Sequence, residues 1–369
     1  MPNRDELTCR ERIRRCALCL PIDRAPFTFY FGPWHETVER WEREGVPDAG
    51  SAWQDPARFG FDKPIFSVVG YVNHLYCPAY EPRVIERRGH TVVQMDNLGI
   101  LTESIEGKSG IPKIIKSPVE NLDDWLKIKA ERLNPDDPRR FSKDWPDIAR
   151  QVNADDRPVL IGCYPCGLYG TLRDLMGVEG SLLAFYDNPE LVHTIMADLT
   201  DFWIALFERI CRSVTVDILH IWEDMSGKQG PLISPAFVRE FMIPHYKRMS
   251  AFAAEYGIAC VQVDTDGDCE ALIEPFHEGG VNMLLPFEVN AGSDVVSLRR
   301  RYPYMSMMGG IDKIEIAKGP AAIDRELARI EPLLRGSGYI PALDHLIPPE
   351  ISFADYSYFT ERLRGMIFG

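Results

Sequence analysis

Apolar positions recur along the chain in two rhythms. Short, nearly continuous apolar runs that close on polar or glycine-rich residues read as strands. They are "APFTFYFG" (25–32), "RPVLIGCYPCG" (157–167), "VDILHIWEDM" (216–225), "IACVQVDTDG" (258–267), "VNMLLPFEV" (281–289), "YMSMMGGID" (304–312) and "GYIPALDH" (338–345). "HTVVQMDNLGILTES" (90–104) reads as two strands around a turn at Asn97–Gly99.

Between these runs the apolar period lengthens to three or four residues, the mark of amphipathic helices. The stretch 181–213 carries that period and is split at Asp187–Asn188–Pro189. The stretch 234–257 opens with a Ser234 cap and Pro235 and stops at Gly257. "DCEALIEPFHEGG" and "GPAAIDRELARIEPLLRGSG" are further helices that close on glycine. From residue 157 onward strand and helix alternate, with no linker and no repeat. Continuous apolar strands followed by helices predict a parallel sheet covered by helices. The expected architecture is α/β: one (β/α)8 barrel over residues 1–369, with an N-terminal hairpin extension.

Composition narrows the function. Of 369 residues, 41 are Lys or Arg and 55 are Asp or Glu, a formal net charge of −14. That balance argues against nucleic acid as a partner, which needs a basic face. No apolar run reaches the ~18 residues of a membrane span. The start, "MPNRDELTCRERIRRC", lacks the apolar core of a signal peptide, so a cytoplasmic protein acting on a small molecule is expected. Nine scattered cysteines do not make a disulfide framework. The pairs Cys16/Cys19 and Cys163/Cys166 have CxxC spacing without a second pair to complete a zinc ribbon; packing or pocket lining is the plainer reading.

In a (β/α)8 barrel the chemistry sits at the carboxyl ends of the strands. Those ends here read Trp222-Glu223-Asp224, Asp264-Thr265-Asp266, Glu288, Gly309-Gly310-Ile311-Asp312 and Asp344-His345. A doubly wound sheet would also end its strands in polar residues, but neither GxGxxG nor GxxxxGK[ST] occurs. Asp268 reads as a helix cap, and Asp224 and Asp312 are equally readable as caps or site residues. Asp264 and Asp266 are two apart on a strand and so are expected on one side. Two carboxylates about 4 Å apart repel by ~4 kcal/mol at an effective dielectric near 20. A shared proton, a basic partner or a cation must offset that. A calcium loop is excluded, because its sixth position is Cys269 and its twelfth Pro275. His345 follows Asp344 at the last strand end and precedes the Pro348–Pro349 stop; it is the one histidine whose context marks it as a site residue. His245 lies on a helix.

"GPLISPAFVREFMIPHYKRM", "EPFHEGGVNMLLPFEVNAGSDVVSLRRRYP", "MMGGIDK" and "GYIPALDHLIPPEISFADYSYF" resemble the uroporphyrinogen decarboxylase superfamily over about residues 157 to 365, and the N-terminal part does so loosely. That resemblance implies a (β/α)8 barrel with its active site at the carboxyl-terminal mouth. It is closer to the corrinoid-linked methyltransferase-like branch than to the true decarboxylase, whose "MRQAGR" arginine signature is missing after "DRAPFTFYFGPWHETVERW". Arginine clamps are the natural partners of a multiply carboxylated tetrapyrrole. In the methyltransferase branch a His-x-Cys pair and a later Cys hold zinc. The resemblance puts Asp264 and Asp266 at the first two places and His345 on or next to the third.

The expected site is therefore Asp264, Asp266 and His345 holding a divalent metal, zinc or a harder ion, or else an acid/base pair left where the metal was. Glu223, Asp224 and Asp266 are the candidate catalytic groups. Tyr164, Trp222, Glu288, Asp312 and Asp344 are expected to contact substrate, with Asp344 orienting His345. A corrinoid would arrive on a separate carrier protein, and a homodimer is implied. The rival readings are a cofactor-free tetrapyrrole decarboxylase using Arg173, Lys228 and Arg239, and a non-catalytic ligand-binding barrel.

Overall fold

The structure is a computed structural model that describes residues 6–107 and 112–369. A strand β1 (Phe66–Ser67) precedes an antiparallel sheet of β2 (Arg83–Arg88), β3 (Thr91–Met95), β4 (Leu101–Ile105) and β5 (Lys113–Lys116). The expected hairpin is β3–β4, closed by Asp96, whose carboxylate accepts from the Leu98 and Ile100 amides. It has grown a further strand on each side. Then come β6 (Val159–Gly162), β7 (Ile218–Trp222), the two-residue strands β8 (Ser226–Gly227) and β9 (Gly230–Pro231), β10 (Cys260–Asp264), β11 (Met283–Phe287), β12 (Ser306–Ile311) and β13 (Tyr339–Leu343).

One parallel sheet runs β1-β6-β7-β10-β11-β12-β13. It is a seven-strand parallel sheet curled as in a (β/α)8 barrel, with helices outside. Its strands are largely apolar because both faces are buried along most of their length. Leu160, Ile218, Cys260, Met283, Leu285, Met308 and Ile340 fill the interior, and the opposite faces pack on the helices. The segment 25–32, expected as a strand, is extended but forms no ladder among the described residues. It is tied by a bridge from the following Pro33 to Ile347 and by Phe27 O, which accepts from the Asp62 amide. Pro26 in the segment, Pro33 just after it and Pro341 in β13 have no N–H to give, so side chains hold this stave: Tyr30 and Phe31 join the interior cluster.

The helix Cys9–Ala17 lies across the other end of the barrel. Arg10 and Arg14 reach the buried Asp217, which precedes β7, and the Cys16 thiol meets Tyr339 O. That end is plugged; the carboxyl ends of the strands remain as the mouth.

The split helices form as expected, Val178–Asp187 and Pro189–Cys211, with Asn188 capping the second. The helix begun by Ser234 and Pro235 is not uniform. It widens to a π turn over Val238–Met242 before Ile243–Glu255, because Pro244 cannot donate within an α-helix and its ring crowds the preceding turn. Among the described residues no helix is long and apolar enough to cross a membrane.

Candidate active site at the barrel mouth

Of the residues singled out at the strand ends, Asp264, Asp266 and His345 lie at the mouth, but they pair differently from expectation. Asp266 lies in the loop after β10, and His345 lies just beyond β13. Asp266 Oδ1 is 3.3 Å from His345 Nε2. The His345 ring stacks on Phe31, with centroids 4.9 Å apart. Burial pulls the imidazole pKa down, but the hydrogen bond and charge of Asp266 outweigh it and hold it above its ordinary value. This is a carboxylate–imidazole pair open to the mouth, with side chains 36 % and 22 % exposed.

Asp264 does not join it. Its Oδ2 is 3.5 Å from Nε2 of His220, a fully buried histidine on β7. Burial pushes the Asp264 carboxyl pKa up, against the opposing pull of His220. The offset required by two close carboxylates is thus supplied twice over, by one imidazole for each. Among the described residues no three His, Cys, Asp or Glu side chains gather at metal-ligand spacing. The donor set implied for a divalent ion is not formed: the arrangement is two carboxylate–imidazole pairs rather than one triad.

Glu223 is a correction of role. Its buried carboxylate accepts from the Leu168, Tyr169 and Gly170 amides at 2.7–3.0 Å and from the Tyr246 hydroxyl. Both oxygens are used to cap the helix Leu168–Met176 and none serves as an acid or base at the mouth. Burial raises its pKa, and these donors oppose the rise. Gly167 and Gly170 make the approach possible, since a Cβ at either would lie 1.6 or 2.5 Å from Trp222 O.

Asp224 is bound by Arg173, which donates to both its carboxylate and its carbonyl at 2.7 Å. Arg173 also lies over the Trp222 ring, and Tyr164 meets that ring edge-on, with centroids 4.6 Å apart. Tyr164 and Trp222 therefore form one aromatic wall on the β6–β7 side. Asp268 accepts from the Glu270 amide and Asp312 from Ile314 N, so both act as turn or helix caps.

Asp344 does not orient His345. Successive extended residues point to opposite sides, and Asp344 turns inward, fully buried, to accept from Val289 N and Lys313 N. Glu288 accepts from Gly267 N. Lys313 Nζ stands between them, 3.4 Å from Glu288 and 3.6 Å from Asp344. Of the other basic candidates, Arg239 pairs with Glu278 on the outer helices and Lys228 is exposed in the β8–β9 hairpin.

The sequence reading missed His220, Tyr30, Gln262 and Lys313. A signal for two of them was present: His220 in "ILHIW" and Gln262 in "CVQVD" are polar residues inside otherwise apolar strands.

A family model described as uroporphyrinogen decarboxylase (URO-D) matches residues 91–366. The chain belongs to the uroporphyrinogen decarboxylase family. Among curated relatives it is 26% identical to a uroporphyrinogen decarboxylase of Nocardia farcinica over 267 residues, 66% of this chain and 68% of that one. With the uroporphyrinogen decarboxylase of Rhodococcus erythropolis it shares 28% identity over 156 residues, 41% of this chain and 40% of the relative. Among solved structures it is similar in fold to a methyltransferase from Methanosarcina mazei, with a TM-score of 0.63 and 15% identity over 99% of this chain and 100% of that one. Within this decarboxylase family fold, the two carboxylate–imidazole pairs occupy the mouth where the parallel strands end.

Proposed function

We propose that this member of the uroporphyrinogen decarboxylase family is an enzyme that removes a methyl group from a small neutral or cationic substrate and passes it to a corrinoid on a separate carrier protein. The observation that carries the reading is the Asp266–His345 pair. An imidazole whose pKa is raised by a neighbouring carboxylate, at an accessible rim, is suited to act as a general acid. When the bond from the methyl carbon to the substrate's oxygen or nitrogen breaks, the electron pair stays on that heteroatom and the His345 ring supplies its proton from Nδ1, the nitrogen that Asp266 does not hold. Asp266 stabilises the imidazolium beforehand and orients the ring; Phe31 fixes it from the other face. The corrinoid would supply the nucleophile that takes the methyl carbon. Tyr164 and Trp222 would line the substrate's apolar flank.

The charge of the mouth favours this over tetrapyrrole decarboxylation. Asp224, Asp264, Asp266, Glu288 and Asp344 face Arg173, Lys313 and the two histidines. Arg173 is held by Asp224, and Lys313 by Glu288 and Asp344. A substrate with many carboxylates would have to compete for cations that already have partners, at a rim with excess negative charge.

The test is incubation of the full chain with cob(I)alamin, as a stand-in for the carrier, and a panel of small methyl ethers and methylamines, following the absorbance of methylcobalamin. Its formation, lost in His345→Ala, is the expected result. Consumption of uroporphyrinogen without methyl transfer would replace this reading with the decarboxylase one.

A further inference from the structure

His220 lies beneath the mouth, wholly enclosed by the barrel. Its Nδ1 is 2.6 Å from the Gln262 amide nitrogen and 2.8 Å from the Tyr30 hydroxyl. The Gln262 carbonyl oxygen is turned the other way, toward the Cys260 thiol at 3.9 Å. An amide nitrogen only donates. With the Gln262 amide in this orientation Nδ1 accepts, and in a neutral ring the single hydrogen sits on Nε2. That nitrogen makes no completed hydrogen bond and is inaccessible to solvent; the group facing it is Asp264 Oδ2, at 3.5 Å. A buried donor without a completed bond is costly. One that points at a mouth carboxylate from behind is poised to tighten when the mouth is filled, since catalytic hydrogen bonds are often long before substrate binds.

The groups around the ring come from three elements besides its own strand: Tyr30 from the unladdered stave, Gln262 and Asp264 from β10, and Cys163 from the turn after β6, which adjoins both Tyr30 and Asp264. None is a permanent cation. Apart from the Asp264 carboxylate, the frame that orients the imidazole is made of uncharged groups.

We infer that His220 is a positioning residue for Asp264: Gln262 and Tyr30 lock its ring as the Nε2–H tautomer, and that N–H holds one carboxylate oxygen from inside the barrel so that the carboxylate meets a substrate N–H or cationic nitrogen in one orientation. This rests on the proposed demethylation of a small neutral or cationic substrate at this mouth, and adds Asp264 to the groups that meet it. The specificity it implies is for a substrate that carries a hydrogen-bond donor next to the transferred carbon, because Asp264 accepts and has no proton of its own to give when ionised.

Two measurements test it. In full-length protein labelled with ¹⁵N-histidine, long-range ¹H–¹⁵N correlation should show His220 as the Nε2–H tautomer, and Gln262→Leu should disturb that pattern. In the cob(I)alamin assay His220→Leu should lower kcat by about tenfold to a hundredfold. His220→Gln, which keeps an N–H near the Nε2 position, should lose less than His220→Leu. An Nδ1–H tautomer in the native protein overturns the inference; so does a His220→Leu variant that turns over normally but unfolds earlier. If the native protein transfers no methyl group to cob(I)alamin, the proposed function falls, and the tautomer alone decides the role of His220.

Discussion

Asp266 Oδ1 and His345 Nε2, from loops separated by almost 80 residues of chain, meet at 3.3 Å on the open rim of the barrel. The contact is charge-assisted only while the imidazole is protonated, so its strength follows pH. Asp266 raises the His345 pKa. A group whose pKa is raised on folding stabilises the fold fully below its unfolded value, and that contribution fades as pH rises through the folded value. Asp266→Asn should lower the His345 pKa, read from the titration of its ring resonances. Both partners are partly exposed, so the stability lost at acidic pH should be small, roughly 0.5 kcal/mol. The larger effect is expected on turnover: the alkaline limb of the pH–rate profile should move to lower pH.

Glu223 makes the opposite prediction. Its four donors are satisfied inside the protein, away from the rim. Glu223→Ala leaves three backbone amides and a phenol without their acceptor, and should cost about 3 to 5 kcal/mol, seen as a lower urea midpoint. A variant of native stability with abolished turnover would return Glu223 to the catalytic set.

The end of β7 is held at the helix Leu168–Met176 by absent side chains. Gly167→Ala would place a methyl 1.6 Å from Trp222 O, which no rotamer change relieves because both atoms belong to the backbone or are fixed to it. The helix must retreat. The expected cost is about 3 kcal/mol, the upper end of the usual range for overpacking. The Trp222 emission should shift as the Tyr164 edge contact opens.

Much of this was legible in the chain itself. Strands such as "CVQVD" and "YIPAL" are apolar enough to be read as buried on both faces, and the polar residues that end them mark the mouth; that logic brought residues 264–266 and 345 together before any coordinates. It did not resolve which carboxylate pairs with which base. β10 ends at Asp264, so the period of two that puts Asp264 and Asp266 on one side stops there, and Thr265 turns in to accept from Met225 N. Nor did position along a strand reveal His220, since its partners Tyr30 and Gln262 are 190 and 42 residues away. Glu223 looked like a mouth residue because helix capping across a neighbouring strand leaves no local sequence mark. The stave 25–32 carries a strand's composition, yet prolines deny it a ladder.

Lys313 is the cation that joins the last two strand ends, and its removal should expose a pH dependence of known sign. Burial raises the Asp344 pKa, and Lys313 is the largest influence holding it down. In Lys313→Met the carboxyl should rise further. A carboxyl whose folded pKa exceeds its unfolded value binds more protons when folded, so stability falls as pH climbs from the unfolded pKa through the folded one. The variant should therefore lose more stability near neutral pH than near pH ~4, where a larger share of Asp344 is protonated. Urea midpoints across that range measure the difference. A uniform loss at all pH values would mean that Lys313 acts by packing its methylene stem, and that Asp344 is neutralised by the Val289 and Lys313 amides alone.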